Sequence, residues 1–348
     1  MLSLEFFTQL EEIVGTANLF RDDDSLSVYS ADKSKNRGFV DVAVRPRTVT
    51  EVASVARLCN ESQVPLTVRG AGTGYTGGAV PIQGGVVMSM ERFTRVIEID
   101  EMNLLAIVEP NVITGDLQRA VEGVGLFYPP DPASLNQSVI GGNVAECAGG
   151  PRAFKYGTTK NYVLGLEAVL PTGEVVKTGG KTIKNVVGYD LTKIIIGSEG
   201  TLAIITKVIL RLIPKPRSRE TLRATFTSID SAVKAVVGLI QERIIPAAME
   251  LIDERSLDAV AQYLEDRTLA PDGTGALLLI EVDGTEVAVG EEAALVETAC
   301  VRAGATEVLR STNNDERNEL WRVRRELSPS LRTIADLKIN HDVVVPRS

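Results

Sequence analysis

The sequence predicts an α+β protein of two domains, and two features of its 348 residues indicate this class. Glycines crowd into residues 70–85, 141–157 and 173–200 and become sparse after Pro216, so the two parts of the chain differ in composition. Before Pro216 short apolar segments alternate with long glycine-rich connections, whereas after it strand and helix patterns alternate regularly. Since domains usually contain about 100–200 residues, this length also fits two of them.

The boundary is predicted between residues 213 and 218, where two prolines occur within three positions and favour an extended linker. The predicted domains are therefore residues 1–215 and 216–348. Repeated strand and helix patterns in the second domain predict a sheet with helices on one face.

Composition excludes several classes of protein. The 46 acidic residues exceed the 37 basic ones, giving a net charge of −9, which argues against nucleic-acid and anionic-membrane partners. No apolar stretch approaches the ~20 residues of a membrane span, and the N-terminus has no signal-peptide pattern. The three cysteines show no CxxC spacing, so a structural zinc site and a disulfide framework are not expected. We expect a cytoplasmic protein.

The single histidine, His341, lies seven residues from the end of the sequence. A Ser-His-Asp hydrolase or a His-ligated zinc enzyme would have to build its site around that residue. Both classes are therefore improbable, and His341 is interpreted as a surface residue.

In the first domain a strand at residues 40–44, a helix capped by Thr48 or Thr50 and a strand at 65–69 form a βαβ unit. The helix should bury Val52, Val55, Ala56 and Cys59, which recur with helical spacing. Further strands are predicted at residues 85–88, 96–100, 105–109, 163–170 and 202–210. A helix over 111–123 should turn Leu117, Ala120 and Val121 inward.

In the second domain the patterns predict strands at residues 221–226, 276–282, 307–309 and 337–345. The helices between them are predicted at residues 228–242, 286–303 and around 315–325. Because the sequence stops three residues after the last strand, we expect the second domain to be incomplete.

The first glycine cluster contains Gly72-x-Gly74-x-x-Gly77, the spacing of a Rossmann fingerprint. That fingerprint requires a helix directly afterwards, and Pro81 with its neighbouring glycines prevents one. A phosphate-loop assignment to residues 180–182 fails because Val175 stands where a glycine is needed. What remains is either a pair of tight turns or a loop whose backbone amides cradle an anion.

Further motifs follow in order: Pro129-Pro130-Asp131-Pro132-Ala133-Ser134, Ser138 to Glu146, Gly149-Gly150, Lys155-Tyr156-Gly157, Gly188 to Lys193, and Gly197 to Thr206. With the first cluster they make residues 40–216 resemble the FAD-binding domain of the vanillyl-alcohol oxidase superfamily, the p-cresol methylhydroxylase (PCMH) type. Within it the motifs are most similar to those of the glycolate oxidase D-type chain and of D-lactate and D-2-hydroxyglutarate dehydrogenases.

The resemblance implies a two-subdomain PCMH-type FAD-binding domain followed by an incomplete, ferredoxin-like α+β substrate cap. It implies FAD as cofactor, held non-covalently because the first glycine cluster has no histidine beside it. The FAD-contacting residues that it implies are Arg69, Gly70, Ala71, Gly72, Thr73, Gly74, Thr76, Gly77, Gly78, Pro130, Asp131, Ser134, Ser138, Ile140, Gly141, Gly142, Asn143, Ala145, Glu146, Gly149, Gly150, Tyr156, Gly157, Glu199, Gly200, Ile204 and Ile205.

The implied reaction is oxidation of a D-2-hydroxy acid by hydride transfer to flavin N5, with the electrons passed to an iron–sulphur or other acceptor subunit. The resemblance assigns the substrate carboxylate to Arg324 and Ser328, although the basic run around them also fits a solvated helix face. Lys338 is the third candidate substrate-binding residue: it lies two residues before the family's lysine position, which is Asn340 here, and on a strand it would point to the same side.

Relatives continue into a His-x-x-Gly-Asp-Gly-Asn-x-His segment and a later Glu-His pair, which bind a divalent metal and supply the base. Neither occurs in this sequence, so no catalytic residue or metal ligand is assigned, and this chain alone is expected to turn over substrate negligibly. One alternative is a native short flavin-binding or electron-transfer subunit completed by a partner chain. Another is an NADPH-dependent reductase of the UDP-N-acetylmuramate type on the same FAD scaffold.

Overall fold

The structure, a computed structural model, describes residues 2–34, 36–335 and 343–345. The chain divides into two compact units. Unit 1 consists of Met1–Gly150 and Thr158–Lys215, and unit 2 consists of Pro151–Gly157 and Pro216–Ser348. Nothing in the sequence pattern indicated that residues 151–157 pack with the second unit. The predicted α+β class is confirmed in both units.

The first part of unit 1 contains α1 (Leu4–Val14), β1 (Leu19–Phe20), α2 (Asp23–Ser27), β2 (Val42–Val44), α3 (Val49–Glu61), β3 (Leu66–Arg69) and β4 (Val86–Ser89). Its sheet has the order β1-β2-β4-β3, with β4 parallel to both β2 and β3. The Thr48 hydroxyl caps α3 by accepting a hydrogen bond from the Glu51 amide. The predicted buried face of α3 is confirmed, because Val52, Val55, Ala56 and Cys59 all lie in the core.

The second part of unit 1 contains β5 (Val96–Asp100), β6 (Leu105–Val108), α4 (Thr114–Glu122), β7 (Leu126–Phe127), α5 (Ile140–Glu146), β8 (Val163–Val169), β9 (Val175–Gly179), α7 (Leu191–Ile195), β10 (Ile204–Arg211) and β11 (Ile213–Pro214). The short helix α6 (Ala153–Tyr156) lies between α5 and β8 in sequence but belongs to unit 2. An antiparallel sheet has the order β5-β6-β10-β8-β9, and β7 pairs with β11.

One inward-facing prediction for α4 is wrong. Leu117 and Val121 are fully buried, but Ala120 is exposed and Gln118 is buried instead. The Gln118 amide group donates hydrogen bonds to the carbonyl oxygens of Tyr128 and Pro130, at 2.9 and 2.8 Å. These two bonds satisfy the amide in the interior and explain why a polar residue replaces an apolar one there.

Helix α5 was missed because two glycines near its start lower helix propensity. Gly141 is required by packing, since a Cβ atom there would lie 2.4 Å from Cβ of Pro110. The helix ends at Cys147, which adopts the left-handed conformation with φ 52° and ψ 48°.

Unit 2 contains β12 (Ser218–Phe226), α8 (Ile229–Gln241), β13 (Ala248–Asp253), α9 (Glu254–Tyr263), β14 (Ala276–Gly284), α10 (Glu286–Arg302), β15 (Ala305–Arg310), α11 (Asn314–Leu320) and α12 (Arg322–Ile334). They form an antiparallel sheet of order β13-β14-β12-β15. Among these, β13 and α9 were not predicted, and the single helix expected around 315–325 is two helices.

The prediction that helices cover one face of this sheet is wrong. Alternate residues of β14 face opposite sides: Leu278 and Ile280 pack with α8 and α10, whereas Leu277 and Leu279 pack with α9 and α12. Both faces are therefore covered. Of the strand predicted at 337–345, residues 337–342 lie outside the described part of the chain, and the described residues 343–345 form no strand.

Within the part of the chain that the structure describes, no helix is both long and apolar enough to span a bilayer.

Candidate functional site

A groove in unit 1 brings together most of the residues predicted to bind a cofactor. The groove is open to solvent along part of its length, and the space within it, open part included, is about 1030 Å³. The predicted residues that line it are Gly70, Ala71, Gly72, Thr73, Gly74, Gly78, Ser134, Gly141, Gly142, Asn143, Ala145, Glu146, Glu199, Gly200, Ile204 and Ile205. Segments far apart in sequence thus form one concave surface.

The wall formed by residues 70–74 is supported from behind by Arg69. A Cβ atom at Gly72 would lie 2.3 Å from the Arg69 guanidinium, and Gly72 also has a left-handed φ of +65°. Arg69 was predicted to contact FAD. It is buried and does not line the groove, so it supports the loop from within the protein instead. Burial lowers the pKa of its guanidinium, an effect that nearby Asp32 and Tyr29 oppose.

No helix follows the glycine loop, as predicted; residues 76–85 run through turns into β4. Two of its amides are used within the protein, since Gly77 donates to Asp32 Oδ2 at 3.1 Å and Gly78 donates to Thr76 Oγ1 at 3.2 Å. Among the described residues, the amides of 71–74 donate to no protein group. These four amides remain for a bound anion.

Three carboxylates also line the groove, those of Asp32, Glu146 and Glu199. Glu146 accepts a hydrogen bond from the Thr76 hydroxyl at 3.0 Å. Burial raises the pKa of Glu146, the Thr76 bond opposes that rise, and the charges of Glu199 and Asp32 add to it. This side of the groove therefore suits hydroxyl groups of a ligand rather than phosphate oxygens.

A buried hydrogen-bond network supports the start of α5. The Asn143 amide group donates to Thr114 Oγ1 at 2.6 Å, and that hydroxyl lies 3.1 Å from the Ser138 carbonyl oxygen. A Cβ atom at Gly70 would lie 2.7 Å from Val139, so the first glycine loop packs against the residue that follows Ser138. Ser138 and Ile140 are buried beneath the groove and do not line it.

The other predicted cofactor residues that do not line the groove are Thr76, Gly77, Pro130, Asp131, Gly149, Gly150, Tyr156 and Gly157. Gly150 packs tightly on Asp131, because a Cβ atom there would lie 2.1 Å from the Asp131 carbonyl oxygen. Tyr156 belongs to unit 2, where its hydroxyl donates to Asp283 Oδ2 at 2.7 Å. Their contacts with a cofactor stay predictions.

Sequence reasoning missed Asp32, Val68, Ala79, Met90, Pro110, Pro132, Val139, Ala148 and Ala203, which also line the groove. Several of them directly adjoin predicted residues, so extending each motif by one position would have found them. Asp32 precedes the glycine loop by nearly forty residues in an irregular segment, and no local pattern indicates it.

Two candidate substrate residues lie on α12 in unit 2. Arg324 and Ser328 are four residues apart and so share one helix face. Arg324 donates from Nε to Glu250 Oε2 at 2.6 Å, which is inconsistent with a freely solvated basic face. Lys338 and His341 lie outside the described residues, and no group of metal-ligating side chains occurs among those that are described.

Comparison with protein families gives two matches that cover most of the chain. Residues 40–179 match the FAD binding domain family, and residues 215–348 match the C-terminal domain family of FAD linked oxidases. The predicted superfamily and cofactor are thereby confirmed.

Relatives are similar along nearly the whole chain. Glycolate oxidase subunit GlcD of Bacillus subtilis is 40% identical over 349 residues, covering 100% of this chain and 74% of that protein. The D-lactate dehydrogenase of Anaerostipes hadrus is 36% identical, covering 88% of this chain and 65% of that protein. The D-lactate dehydrogenase of Archaeoglobus fulgidus is 34% identical, covering 94% and 71%. The chain thus spans roughly two thirds to three quarters of these relatives.

Solved structures show the same fold at low identity. An alkyldihydroxyacetonephosphate synthase superposes with a TM-score of 0.80 at 22% identity, covering 96% of this chain and 69% of that one. p-Cresol methylhydroxylase with bound substrate gives a TM-score of 0.77 at 19% identity, covering 92% and 70%. At these identities the similarity establishes the fold alone.

Proposed function

Since this chain belongs to the FAD-linked oxidases and FAD is its cofactor, we propose that it oxidises a D-2-hydroxy acid of the glycolate or D-lactate type. The observation that carries the proposal is Arg324, a partly buried arginine on α12 with hydrogen-bonding capacity left for a carboxylate. The relatives named as glycolate oxidase and D-lactate dehydrogenase support this substrate class.

The walls of the groove in unit 1 fit FAD, because many of the lining residues are glycines. A Cβ atom at Gly200 would meet nothing within 4 Å, and one at Gly74 would meet only Glu146 Oε1 at 3.8 Å, so both glycines leave open space. The amides of 71–74 would bind the diphosphate, and Glu146 with Glu199 would accept from hydroxyl groups. We propose that the attachment is non-covalent.

The role of the protein is to bind and orient the substrate. When bound, FAD supplies the hydride acceptor for the α-carbon of the hydroxy acid. Arg324 holds the substrate carboxylate, and the Ser328 hydroxyl on the same helix face assists it. Neither group is a base at neutral pH, so the proposal assigns them binding and orientation only.

The electrons must leave through a second acceptor. The Bacillus subtilis relative is named as a subunit, which supports an arrangement in which a separate electron-acceptor subunit, carrying an iron–sulphur cluster or another redox group, completes the enzyme.

The test is anaerobic reduction of bound FAD, followed by its visible absorbance. This chain is compared with the same chain extended by the part of the Bacillus subtilis relative that lies outside the match, which is about a quarter of that protein. We expect D-lactate or glycolate to bleach the flavin in the extended protein, with negligible turnover by this chain alone. L-Lactate is the stereochemical control. Bleaching by NADPH and not by any hydroxy acid would contradict the proposal and favour the reductase alternative.

A further inference from the structure

The inference concerns how Arg324 is held on α12. Its only hydrogen bond among the described residues runs from Nε to Glu250 Oε2, at 2.6 Å. The side chains are 28% and 22% exposed, so the pair is substantially shielded from water. Because Nε alone is used, the edge formed by the two terminal nitrogens keeps its donors, and that edge matches the two oxygens of a carboxylate.

The two elements that carry this pair are held in one core. Glu250 lies on β13, where it pairs in register with Leu279 of β14. Val323, the residue before Arg324, is 1% exposed and packs in the cluster that contains Leu279 and Ile252. The bond between Glu250 and Arg324 therefore links a strand and a helix that are already fixed.

The start of α12 has a second attachment to the sheet. The Trp321 indole N–H donates to the Thr221 hydroxyl oxygen on β12 at 3.1 Å. That hydroxyl in turn lies 3.4 Å from Oε2 of Glu281, a buried carboxylate on β14. Arg324 thus projects from a helix whose first turn is anchored to two strands.

A neighbouring ion pair, which joins α11 to the start of α12, shows a different arrangement. Arg322 donates to Glu319 through Nη1, at 3.0 Å, and the two residues are three positions apart on the outer surface. The pair uses the terminal edge of the guanidinium, and its Glu319 side chain is 58% exposed. Arg322 therefore already uses one of its terminal nitrogens within the protein, whereas Arg324 keeps both of its terminal nitrogens for a ligand.

We propose that Glu250 is a positioning residue for substrate binding, which holds Arg324 through Nε so that its terminal edge receives the substrate carboxylate. The inference rests on the proposed function and adds a residue to it. Glu250 also balances the positive charge of Arg324 before substrate binds, which avoids a partly buried unpaired cation. A bound carboxylate then joins the guanidinium at its opposite edge without displacing Glu250.

The test measures binding of D-lactate and glycolate to the FAD-loaded protein. Titration calorimetry gives the affinity, and the fluorescence of Trp321, the only tryptophan, reports binding three residues from Arg324. We expect Arg324→Ala to abolish binding and Glu250→Ala to weaken it by about tenfold or more, because the guanidinium loses its orientation. Glu250→Gln keeps an acceptor for Nε and should restore affinity to within about threefold of wild type.

Glu319→Ala is the matched control, because it removes the surface partner of Arg322 and should leave affinity unchanged. The visible spectrum of bound FAD and the melting temperature verify that each variant is folded. Unchanged or tighter binding by Glu250→Ala, while Arg324→Ala abolishes binding, overturns the role of Glu250 and leaves the substrate class intact. If Arg324→Ala binds like wild type, or wild type binds neither acid, the carboxylate site fails, and the inference fails with it.

Discussion

The glycine-rich loop shows that residues of one type in one motif serve different purposes. Gly72 is constrained by the backbone, because it has a left-handed φ, and its missing Cβ leaves room for the Arg69 guanidinium. Gly74 has neither constraint, and an added side chain would extend into the groove. Spacing alone predicted that both glycines matter, but only the three-dimensional contacts separate folding from binding.

Glu146 provides a pH-dependent test at the residue scale. Its folded-state pKa is raised, so its ionisation opposes folding, and this penalty develops as the pH rises through that raised pKa. Below the ordinary value of 4.5 the side chain is mostly protonated in both states, and the penalty disappears. We expect Glu146→Gln to raise the melting temperature of the FAD-free protein by about 1–2 °C at pH 7, with almost no change near pH 4.

Calorimetric melting at several pH values measures this effect. Glutamine retains an acceptor for the Thr76 hydroxyl, so the substitution isolates the charge. The exposed residue Glu101 supplies the control, and Glu101→Gln should change little at either pH. A lower melting temperature for Glu146→Gln at pH 7 would show that the charge of Glu146 is net stabilising.

At the scale of elements, Gln118 joins α4 to the backbone of Tyr128 and Pro130. Leucine at this position would leave the buried carbonyl groups of Tyr128 and Pro130 without their donor. We expect Gln118→Leu to lower the free energy of unfolding by about 2–4 kcal/mol, as measured by urea denaturation. Arg119→Leu on the exposed side of the same helix is the control, and a loss as small as in that variant would contradict this role.

Elements with clear periodicity were predictable, and those set by tertiary contacts were not. Helix α3 has a capping threonine and a regular apolar face, and both appear as expected. Helix α5 carries two glycines that local propensity disfavours, and it forms because Gly141 fits against Pro110. Ala120 was predicted inward on apolarity alone, whereas burial there follows the hydrogen bonds of Gln118.

The motifs of the candidate site were predictable from the sequence, whereas the residues that contact those motifs from elsewhere in the chain were not. The glycine motifs converge on the groove from loops and from the first turn of α5. Neither Asp32 nor Glu250 belongs to a motif. The fold places Asp32 beside Gly77 and Glu250 beside Arg324, and both partners are far away in sequence. Reading a sequence in order cannot detect such pairs without knowledge of the strand arrangement.

At the scale of the molecule, the chain crosses between its two units more than once. Residues 151–157 pack with unit 2, where Lys155 and Tyr156 both bind the buried carboxylate of Asp283, at 2.6 and 2.7 Å. The segment that follows the second glycine motif is therefore part of the unit that carries the proposed substrate arginine. We retain residues 1–215 and 216–348 as the proposed domains, with the difference that residues 151–157 belong to the second compact unit.

The net charge of −9 and the three carboxylates of the groove make anion binding unfavourable unless local donors compensate. The amides of 71–74, which donate to no protein group in the part of the chain that the structure describes, are such donors, and the described residues that line the groove include no lysine or arginine. The central claim is that this loop, approached closely because it lacks side chains, holds the diphosphate of FAD.

The most direct test is the FAD affinity of Gly74→Asp against that of Gly180→Asp. Neither glycine has a left-handed φ, and Gly180 has open space around it and lies outside the groove. Equilibrium dialysis, with visible absorbance of the retained flavin, should show loss of FAD by at least about 100-fold in Gly74→Asp and unchanged binding in Gly180→Asp. Both variants should keep wild-type circular dichroism. Full flavin absorbance in Gly74→Asp would contradict the assignment of this loop to the cofactor.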